Sequence, residues 1–262
     1  MSAENWINLA GRVCVVTGAA GGMGQAITRS FLSLGARVVA LDIDGRTCTD
    51  FVASLGLSNN SVVAIPCDIA DPDAVIAAEA RVQGLFGPAD TLINNAAALG
   101  KKSLQDTSFA DWDRILAVNL SGYFNCTQVF GAAMRARGAG VIVHIASIAA
   151  TEPVGNAGPY SPSKAGVQML SRQIAVEWGP LGIRSNTVSP GMIRTPFSEA
   201  TYQQAGVEDF RKSRIPNRSI GLPQQVADAV IFLASNRASY INGADLLVDG
   251  GLSQTLMAQF PR

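Results

Sequence analysis

The sequence has few of the side chains from which metal and redox sites are built. It contains a single histidine, His144, and four scattered cysteines, none of which has the close spacing of a metal knuckle or a redox pair. We therefore expect no metal site. Cys14 and Cys67 lie in apolar runs, which indicates small buried residues in a reducing compartment. His144 lies in a strand pattern, which favours a hydrogen-bonded core histidine over a catalytic one.

Charge is also scarce. Only 15% of the residues are charged and the formal net charge is zero, which argues against a nucleic-acid-binding protein because such proteins carry a basic patch. The chain has no run of about 18 apolar residues, so we expect no membrane span. Residues 1–9 lack a basic stretch followed by an apolar one. No secretory signal is visible, and we expect a cytoplasmic protein.

The sequence is instead rich in apolar residues, at 48%, arranged as short β-branched runs that alternate with longer helical patterns. Several runs are apolar at nearly every position, as in strands covered on both faces. The predicted strands are residues 13–17, 37–42, 62–67, 91–94, 141–146, 184–189 and 245–248. The predicted helices are residues 24–34, 72–85, 109–137, 159–179 and 223–234. Gly35, Gly87 and Gly138 lie where three of these helices should end.

This alternation predicts one Rossmann-type, doubly wound α/β domain over residues 1–262, with a mostly parallel seven-stranded sheet between two layers of helices. The longest irregular-looking insertion is residues 192–221, for which we predict a mobile substrate-binding lid. Its basic side chains fit either an anion site or, as we favour, a solvated face of the lid: Arg211, Lys212, Arg214 and Arg218.

A glycine-rich loop, Thr17-Gly18-Ala19-Ala20-Gly21-Gly22-Met23-Gly24, follows the first predicted strand. Such a turn lets the backbone approach a pyrophosphate and points helix N–H groups at it, although tight packing alone could also require it. Asp42 ends the next strand, where an acid suits a ribose 2′-hydroxyl and repels a 2′-phosphate. Ile43 supplies no positive charge for a phosphate. The pattern therefore predicts NAD as the cofactor, in preference to NADP.

A second motif is Tyr160-Ser161-Pro162-Ser163-Lys164. Side chains four positions apart project from one face of a helix, and prolines here are compatible only with its first turn. The pair should lie at the carboxyl edge of the sheet, where ligands of such folds bind. A tyrosine pKa of ~10 must fall by ~3 units for a base near neutrality, and one ammonium at ~4 Å supplies nearly the required ~4 kcal/mol. We expect Lys164 to lower the pKa of Tyr160 in this way.

In these motifs the sequence resembles the short-chain dehydrogenase/reductase family, from about residue 9 to about residue 252. The loop resembles the family's Thr-Gly-x-x-x-Gly-x-Gly, Asp68-Ile69 its adenine-contacting acid, residues 94–97 its Asn-Asn-Ala-Gly segment with Ala97 in place of glycine, and residues 189–196 its Pro-Gly segment. The resemblance implies the following cofactor-binding residues: Gly18, Gly21, Gly22, Met23, Gly24, Asp42, Ile43, Cys67, Asp68, Ile69, Asn95, Ala96, Ala97, Tyr160, Lys164, Pro190, Gly191, Ile193 and Thr195.

The resemblance also implies a catalytic set of Asn119, Ser147, Tyr160 and Lys164. In the family, the tyrosine is the acid/base, the serine orients the substrate oxygen, the lysine holds the ribose, and the asparagine holds a water in the proton path. The implied activity is NAD-dependent interconversion of a secondary alcohol and its ketone. The implied assembly is a homotetramer with helices 109–137 and 159–179 at one interface, which four apolar side chains fit as well as they fit intramolecular packing: Val167, Leu170, Ile174 and Val176.

The substrate is the least determined part. We expect it to be bound by Ser147, Glu152, Tyr160, Met192 and Phe197. Other candidates for the pocket are Ala97, Ala98, Leu99, Asn156 and Tyr202. These side chains predict a neutral, partly hydrophobic cyclic alcohol, diol or sugar-like molecule. Two alternatives stay open: a non-catalytic NAD-sensing regulator, which usually lacks the tyrosine or the lysine, and an isomerase that works through a transient ketone. An enoyl-thioester reductase would have a wider spacing between these two residues.

Overall fold

The computed structural model describes residues 7–256, so the two ends of the predicted domain, residues 1–6 and 257–262, lie outside the described part. One parallel sheet has the strand order β3-β2-β1-β4-β5-β6-β7. Its strands are β1 (Val13–Thr17), β2 (Arg37–Asp42), β3 (Val62–Pro66), β4 (Thr91–Asn94), β5 (Gly140–Ile145), β6 (Ile183–Pro190) and β7 (Asp245–Val248). The direction of winding reverses between β1 and β4, and a ligand crevice is expected at the carboxyl ends of strands at such a point.

Helices cover both faces of the sheet. They are α1 (Gly22–Ser33), α2 (Gly45–Ser54), α3 (Pro72–Phe86), α4 (Phe109–Leu116), α5 (Gly122–Arg137), α6 (Tyr160–Trp178), α7 (Pro196–Tyr202), α8 (Val207–Arg214) and α9 (Pro223–Ala234). One core cluster lies beneath α1, α2 and α9, and another beneath α3, α5 and α6. Both faces of the central strands are therefore buried, which explains why all five residues of β1 are buried and apolar or hydroxyl-bearing. No helix within residues 7–256 is long and apolar enough to cross a membrane.

The predicted doubly wound fold with seven parallel strands is confirmed, and the strand bounds agree to within one residue. His144 is a buried residue of β5, with its ring nitrogens 3.1 Å from Asn94 Nδ2 and 3.2 Å from Ser185 Oγ. Burial, with a smaller contribution from the charge of Lys164, lowers its pKa to about 3. The expected core histidine is therefore confirmed. All four cysteines are buried and free of disulfide bonds.

Three features of the helices differ from the sequence-based expectation. Helix α2 was not predicted, because β-branched threonines and a starting glycine give it a weak helical pattern. The predicted helix 109–137 is divided by a π-helical turn over Ala117–Ser121. Residues 192–221 are not irregular, since they contain α7 and α8.

The basic residues of α8 have a structural explanation. Glu208 and Asp209 lie in its first turn and Arg211, Lys212 and Arg214 in its last, which complements the helix dipole. Lys212 Nζ also lies 2.6 Å from Glu208 Oε1. Arg214 and Arg218 are exposed and Arg211 and Lys212 are half-buried, so the expected solvated basic face is confirmed, with Lys212 engaged in an ion pair within its own helix.

Candidate active site

A cleft of about 630 Å³ lies at the carboxyl edge of the sheet and brings together most of the predicted cofactor residues. The predicted residues that line it are Gly18, Gly21, Gly22, Met23, Gly24, Asp42, Ile43, Cys67, Asp68, Ile69, Asn95, Ala96, Ala97, Leu99, Tyr160, Thr195 and Phe197. Burial raises the pKa of the Cys67 thiol to about 11, which favours the protonated thiol over the reactive thiolate near neutral pH.

Two glycines of the loop are required by close backbone contacts. Gly18 has a φ of +63°, and a Cβ built on it would lie 2.6 Å from the Cα of Ala96. A Cβ on Gly24 would lie 2.2 Å from the carbonyl oxygen of Gly18. At Gly21 the nearest such contact is 3.4 Å, an ordinary distance. The loop is therefore folded tightly against the segment after β4, and its exposed backbone faces the cleft.

Asn95 fastens this loop to the sheet. Its Nδ2 donates to the carbonyl oxygens of Thr17 at 2.9 Å and Gly18 at 3.0 Å, and its backbone N–H donates to Thr17 Oγ1 at 2.9 Å. Its Oδ1 is buried and has no hydrogen-bond partner among the described residues. A glycine loop whose backbone lines a cleft, beside an unsatisfied acceptor, fits a bound dinucleotide.

Asp42 has a fixed orientation in the cleft. Its Oδ2 accepts from the N–H of Ala20 at 2.9 Å, and its Oδ1 accepts from the N–H of Asp44 at 3.0 Å. The carboxylate therefore links the glycine loop to the start of α2. It is a hydrogen-bonded part of the cleft and not merely a solvated group at the end of a strand. Ile43 beside it is 72% exposed and brings no charge.

Tyr160 begins α6, and Lys164 lies one turn further along the same face. The Nζ of Lys164 is 5.9 Å from the centre of the Tyr160 ring and donates to the carbonyl oxygen of Ile145 at 2.7 Å. It also donates to the hydroxyl of Tyr123 at 3.3 Å. Tyr160 lines the cleft, whereas Lys164 is buried behind it.

The pKa values at this pair move opposite to our expectation. Burial raises the pKa of Tyr160, and a side-chain hydrogen bond with Ser147 opposes that effect. Burial lowers the pKa of Lys164 to about 7, because no carboxylate among the described residues compensates its charge. The expectation that Lys164 lowers the pKa of Tyr160 is therefore wrong for the protein groups alone, which keep the phenol protonated.

The π-helical turn positions Asn119. Its Oδ1 accepts from the N–H of Ala98 at 2.7 Å, and its Nδ2 donates to the carbonyl oxygen of Ala98 at 2.9 Å and to Ser163 Oγ at 3.0 Å. The amide thus joins the segment after β4 to the first turn of α6. Such turns are often found at functional sites. Asn119 contacts α6 through Ser163, next to Lys164.

The remaining predicted residues have other positions. Met192 and Ile193 line a neighbouring cavity of about 380 Å³. Pro190 is buried at the end of β6, and Gly191 packs against Asp249. Glu152 and Asn156 are exposed and do not line the cleft. Tyr202 is buried against Ile215 and Ile220, so it is a core residue of the 192–221 segment and not a wall of the cleft.

Sequence reasoning missed five residues of the cleft: Ala20, Asp44, Thr47, Lys101 and Val118. Asp44 caps the unpredicted helix α2 by accepting from the N–H of Thr47 at 3.0 Å. An aspartate three positions before a threonine was the available signal. Lys101 had no local signal, because two adjacent lysines in a loop are usual at a surface.

Comparison with known proteins gives a consistent result. The family model described as enoyl-(acyl carrier protein) reductase matches residues 18–253. The D-threitol dehydrogenase of Mycolicibacterium smegmatis is 38% identical over 96% of both chains. The 2-(R)-hydroxypropyl-CoM dehydrogenase of Xanthobacter autotrophicus is 40% identical over 91% of this chain and 97% of the relative. The solved gluconate 5-dehydrogenase of Burkholderia cenocepacia, in complex with NADP and tartrate, is 30% identical with a TM-score of 0.87 and covers 94% of this chain and 96% of its own.

Proposed function

The chain belongs to the short-chain dehydrogenase/reductase family, and from this premise we propose that it is an NAD-dependent enzyme that interconverts a secondary alcohol and its ketone. The observation that carries the proposal is the placement of Tyr160, which lines the cleft of the glycine loop with the Nζ of Lys164 5.9 Å from the centre of its ring. Relatives named for threitol and hydroxypropyl substrates support a secondary alcohol.

We propose NAD because of Asp42. A carboxylate held by two backbone N–H groups is kept in place at the end of β2, where it can accept hydrogen bonds from a ribose and repels a 2′-phosphate. Asp44 and Asp68 add negative charge to the same part of the cleft. The solved relative with NADP shows that the fold also accepts the phosphorylated cofactor, so the preference depends on these side chains.

The chemistry divides between the cofactor and the chain. Bound NAD would supply the hydride acceptor for oxidation of the alcohol. In that direction Tyr160 has to be the phenolate, which would take the hydroxyl proton. Ser147 binds the same substrate oxygen and stabilises its developing charge. Lys164 contributes a positive charge behind the phenol when it is protonated, and Asn119 fixes the backbone beside it. Because Tyr160 is held protonated by burial, it is ready to donate in ketone reduction.

The decisive experiment is NAD reduction by a panel of secondary alcohols, repeated with NADP and with Tyr160→Phe. We expect activity with NAD, weaker activity with NADP, and a loss of about 100- to 10,000-fold in kcat for the variant with unchanged NAD binding, since general acid–base catalysis supplies about that factor. Tyr240→Phe is the matched control, because Tyr240 is fully exposed away from the cleft.

Substantial turnover by Tyr160→Phe would refute the catalytic assignment. Net formation of NADH separates a dehydrogenase from an isomerase, which would convert its substrate with no net change in NADH. Binding of NAD with no turnover of any alcohol would favour a regulator that senses NAD.

Three further properties belong to this proposal. We infer that residues 192–221 act as a substrate-binding lid, since Thr195 and Phe197 reach the cleft from this segment. A homotetramer and a cytoplasmic location stay predictions. Two of the side chains offered for the interface, Val167 and Ile174, are buried in the core of the subunit, whereas Val176 is 73% exposed on α6 and is free to contact another copy. Sedimentation of the purified protein measures the assembly directly.

A further inference from the structure

The charged side chains of the cleft are separated by sign. Three acids, Asp42, Asp44 and Asp68, lie at the ends of β2 and β3, beside the glycine loop. Among the described residues that line the cleft, the only cation is Lys101, from the segment after β4. The acids suit the uncharged ribose of NAD, which leaves the cation to be explained.

Lys101 differs from its neighbour Lys102. The Nζ of Lys102 lies 2.8 Å from Asp111 Oδ2, whereas no ion pair joins Lys101 to any acid in residues 7–256. The Nζ of Lys101 lies 5.4 Å from the centre of the Phe197 ring, which also lines the cleft. The ring attracts the cation without neutralising its charge. Lys101 therefore presents an uncompensated positive charge beside residues of the cleft.

The backbone that carries Lys101 is held against the start of α6. The carbonyl oxygen of Lys102 accepts from the N–H of Gly158 at 3.0 Å, two residues before Tyr160. On the other side, the Asn119 amide binds both backbone groups of Ala98. A Cβ on Gly100 would lie 2.3 Å from the carbonyl oxygen of Ala157, so this contact is close. The attachment point of Lys101 is thus fixed to the same short loop that leads into Tyr160.

We propose that Lys101 binds an anionic group of the substrate, so that the substrate is a secondary alcohol with a carboxylate, sulfonate or phosphate group. This proposal rests on the proposed function, and it replaces the neutral substrate expected from the sequence. A lysine ammonium acts as a point charge with rotatable donors, so it accepts any of the three anions. Phe197 covers the apolar part of such a molecule and keeps the cation at the cleft.

The test compares acids with their neutral amides of nearly equal shape. The probes are 3-hydroxybutyrate and 3-hydroxybutyramide, 4-hydroxypentanoate and its amide, and the sulfonate and phosphate analogues of the better acid, which distinguish the three anions. We expect the wild-type enzyme to prefer an acid over its amide by about tenfold in kcat/KM, the size of one hydrogen bond to a charged group. Lys101→Gln should remove this preference through KM, with the amide and NAD within about twofold of wild type.

Lys102→Gln is the matched control, because it removes an adjacent lysine that is paired outside the cleft. It should leave both substrates unchanged. Equal turnover of acid and amide by the wild-type enzyme would overturn the role of Lys101 and leave the proposed function intact. A weaker affinity for NAD in Lys101→Gln, with the preference for the acid retained, would also overturn it, because the cation would then serve the cofactor phosphates. Turnover of neutral alcohols of the wider panel, with none of these acids accepted, would overturn the role of Lys101 and leave the proposed function intact.

Discussion

The glycine loop of residues 17–24 and the segment of residues 192–221 border the same cleft, but different forces hold them. The loop is held by buried backbone contacts and by Asn95, with no room for a Cβ at Gly18 or Gly24. The segment depends on exposed ion pairs and on a small cluster of Tyr202, Ile215 and Ile220. Close-packed backbone has few alternative arrangements, whereas exposed charge pairs exchange readily with water.

This difference matches the two tasks that the proposed function gives to the cleft. In that function the cofactor is the same in every turnover, so a rigid loop suits it. The substrate has to enter and leave, so a lid formed by residues 192–221 would have to open. Arg194 shows how the segment of residues 192–221 is held together. Its guanidinium lies 2.7 Å from Glu208, 3.2 Å from Glu199 and 5.0 Å from the Tyr202 ring centre. These contacts link α7 to α8 at the surface, where each is individually weak.

The largest effect should come from a substitution that forces the glycine loop to move. Gly24→Ala places a methyl group 2.2 Å from the carbonyl oxygen of Gly18, so the loop must shift. Overpacking of this kind costs about 3 kcal/mol, and we expect NAD affinity to fall by about 100-fold. Titration of each purified variant with NAD measures the effect. Gly21→Ala is the control, with its nearest contact at 3.4 Å. Equal NAD affinities for the two variants would show that the loop is not rigid.

The same contrast limits what the sequence could predict. Strands β1, β2 and β4 were predicted with their observed bounds, because buried parallel strands are apolar at almost every position. The bounds of the half-buried edge strand β7 were also predicted, from its three successive apolar residues. The loop, Asp42 and the Tyr160–Lys164 pair followed from local patterns. The π-helical turn at Asn119 did not, since a single widened turn leaves the helical periodicity nearly unchanged. Lys101 depends on a loop brought beside α6 by contacts at Gly100 and Gly158, which no local pattern encodes.

The second largest effect should come from changing the charge at Asp42, beside the glycine loop, without moving the loop. In Asp42→Asn with Ile43→Arg, the amide oxygen can still accept one backbone hydrogen bond while the repulsion of a 2′-phosphate is replaced by attraction. We expect the ratio of kcat/KM for NAD to that for NADP to fall by about 50-fold. Asp50→Lys, an exposed change on α2 that raises the net charge by the same two units, controls for net charge. A ratio that stays constant would mean that Asp42 does not select the cofactor.

A third effect concerns stability at the floor of the cleft. Folding lowers the pKa of Lys164 from 10.5 to about 7, so between these values the unfolded chain binds a proton that the folded chain does not. Stability of the wild-type protein should therefore rise with pH from about 7 toward 10.5, and below pH 7 the full cost of a buried ammonium applies. Lys164→Met avoids this cost and should be more stable at pH 6, by on the order of 2 kcal/mol.

That advantage should shrink by pH 9, which urea unfolding at the two pH values measures. Lys102→Met is the matched control, because its side chain is 57% exposed, and its stability relative to wild type should not change over this range. An advantage of Lys164→Met that is equal at both pH values would contradict the lowered pKa. It would point instead to better packing of methionine at this position.

The smallest effect should come from removing an ion pair in the segment of residues 192–221. Glu208→Gln removes the charge that holds Lys212 Nζ at 2.6 Å and Arg194 at 2.7 Å. Hydrogen bonds from Lys212 and Arg194 lower the pKa of Glu208, so its contribution is present above the usual carboxyl pKa and is lost as the pH falls. We expect KM for the substrate to rise about two- to threefold at pH 8 with kcat unchanged, and the difference to vanish in about 1 M salt.

Steady-state kinetics at low and high salt concentration measure this change in KM. Glu79→Gln on α3 is the control, because the Glu79 carboxylate accepts a hydrogen bond from Gln83 of its own helix. Glu208→Gln could instead weaken NAD binding as strongly as Gly24→Ala does. In that case the glycine loop and residues 192–221 would act as one rigid unit, and residues 192–221 would belong to the cofactor site and not to a lid.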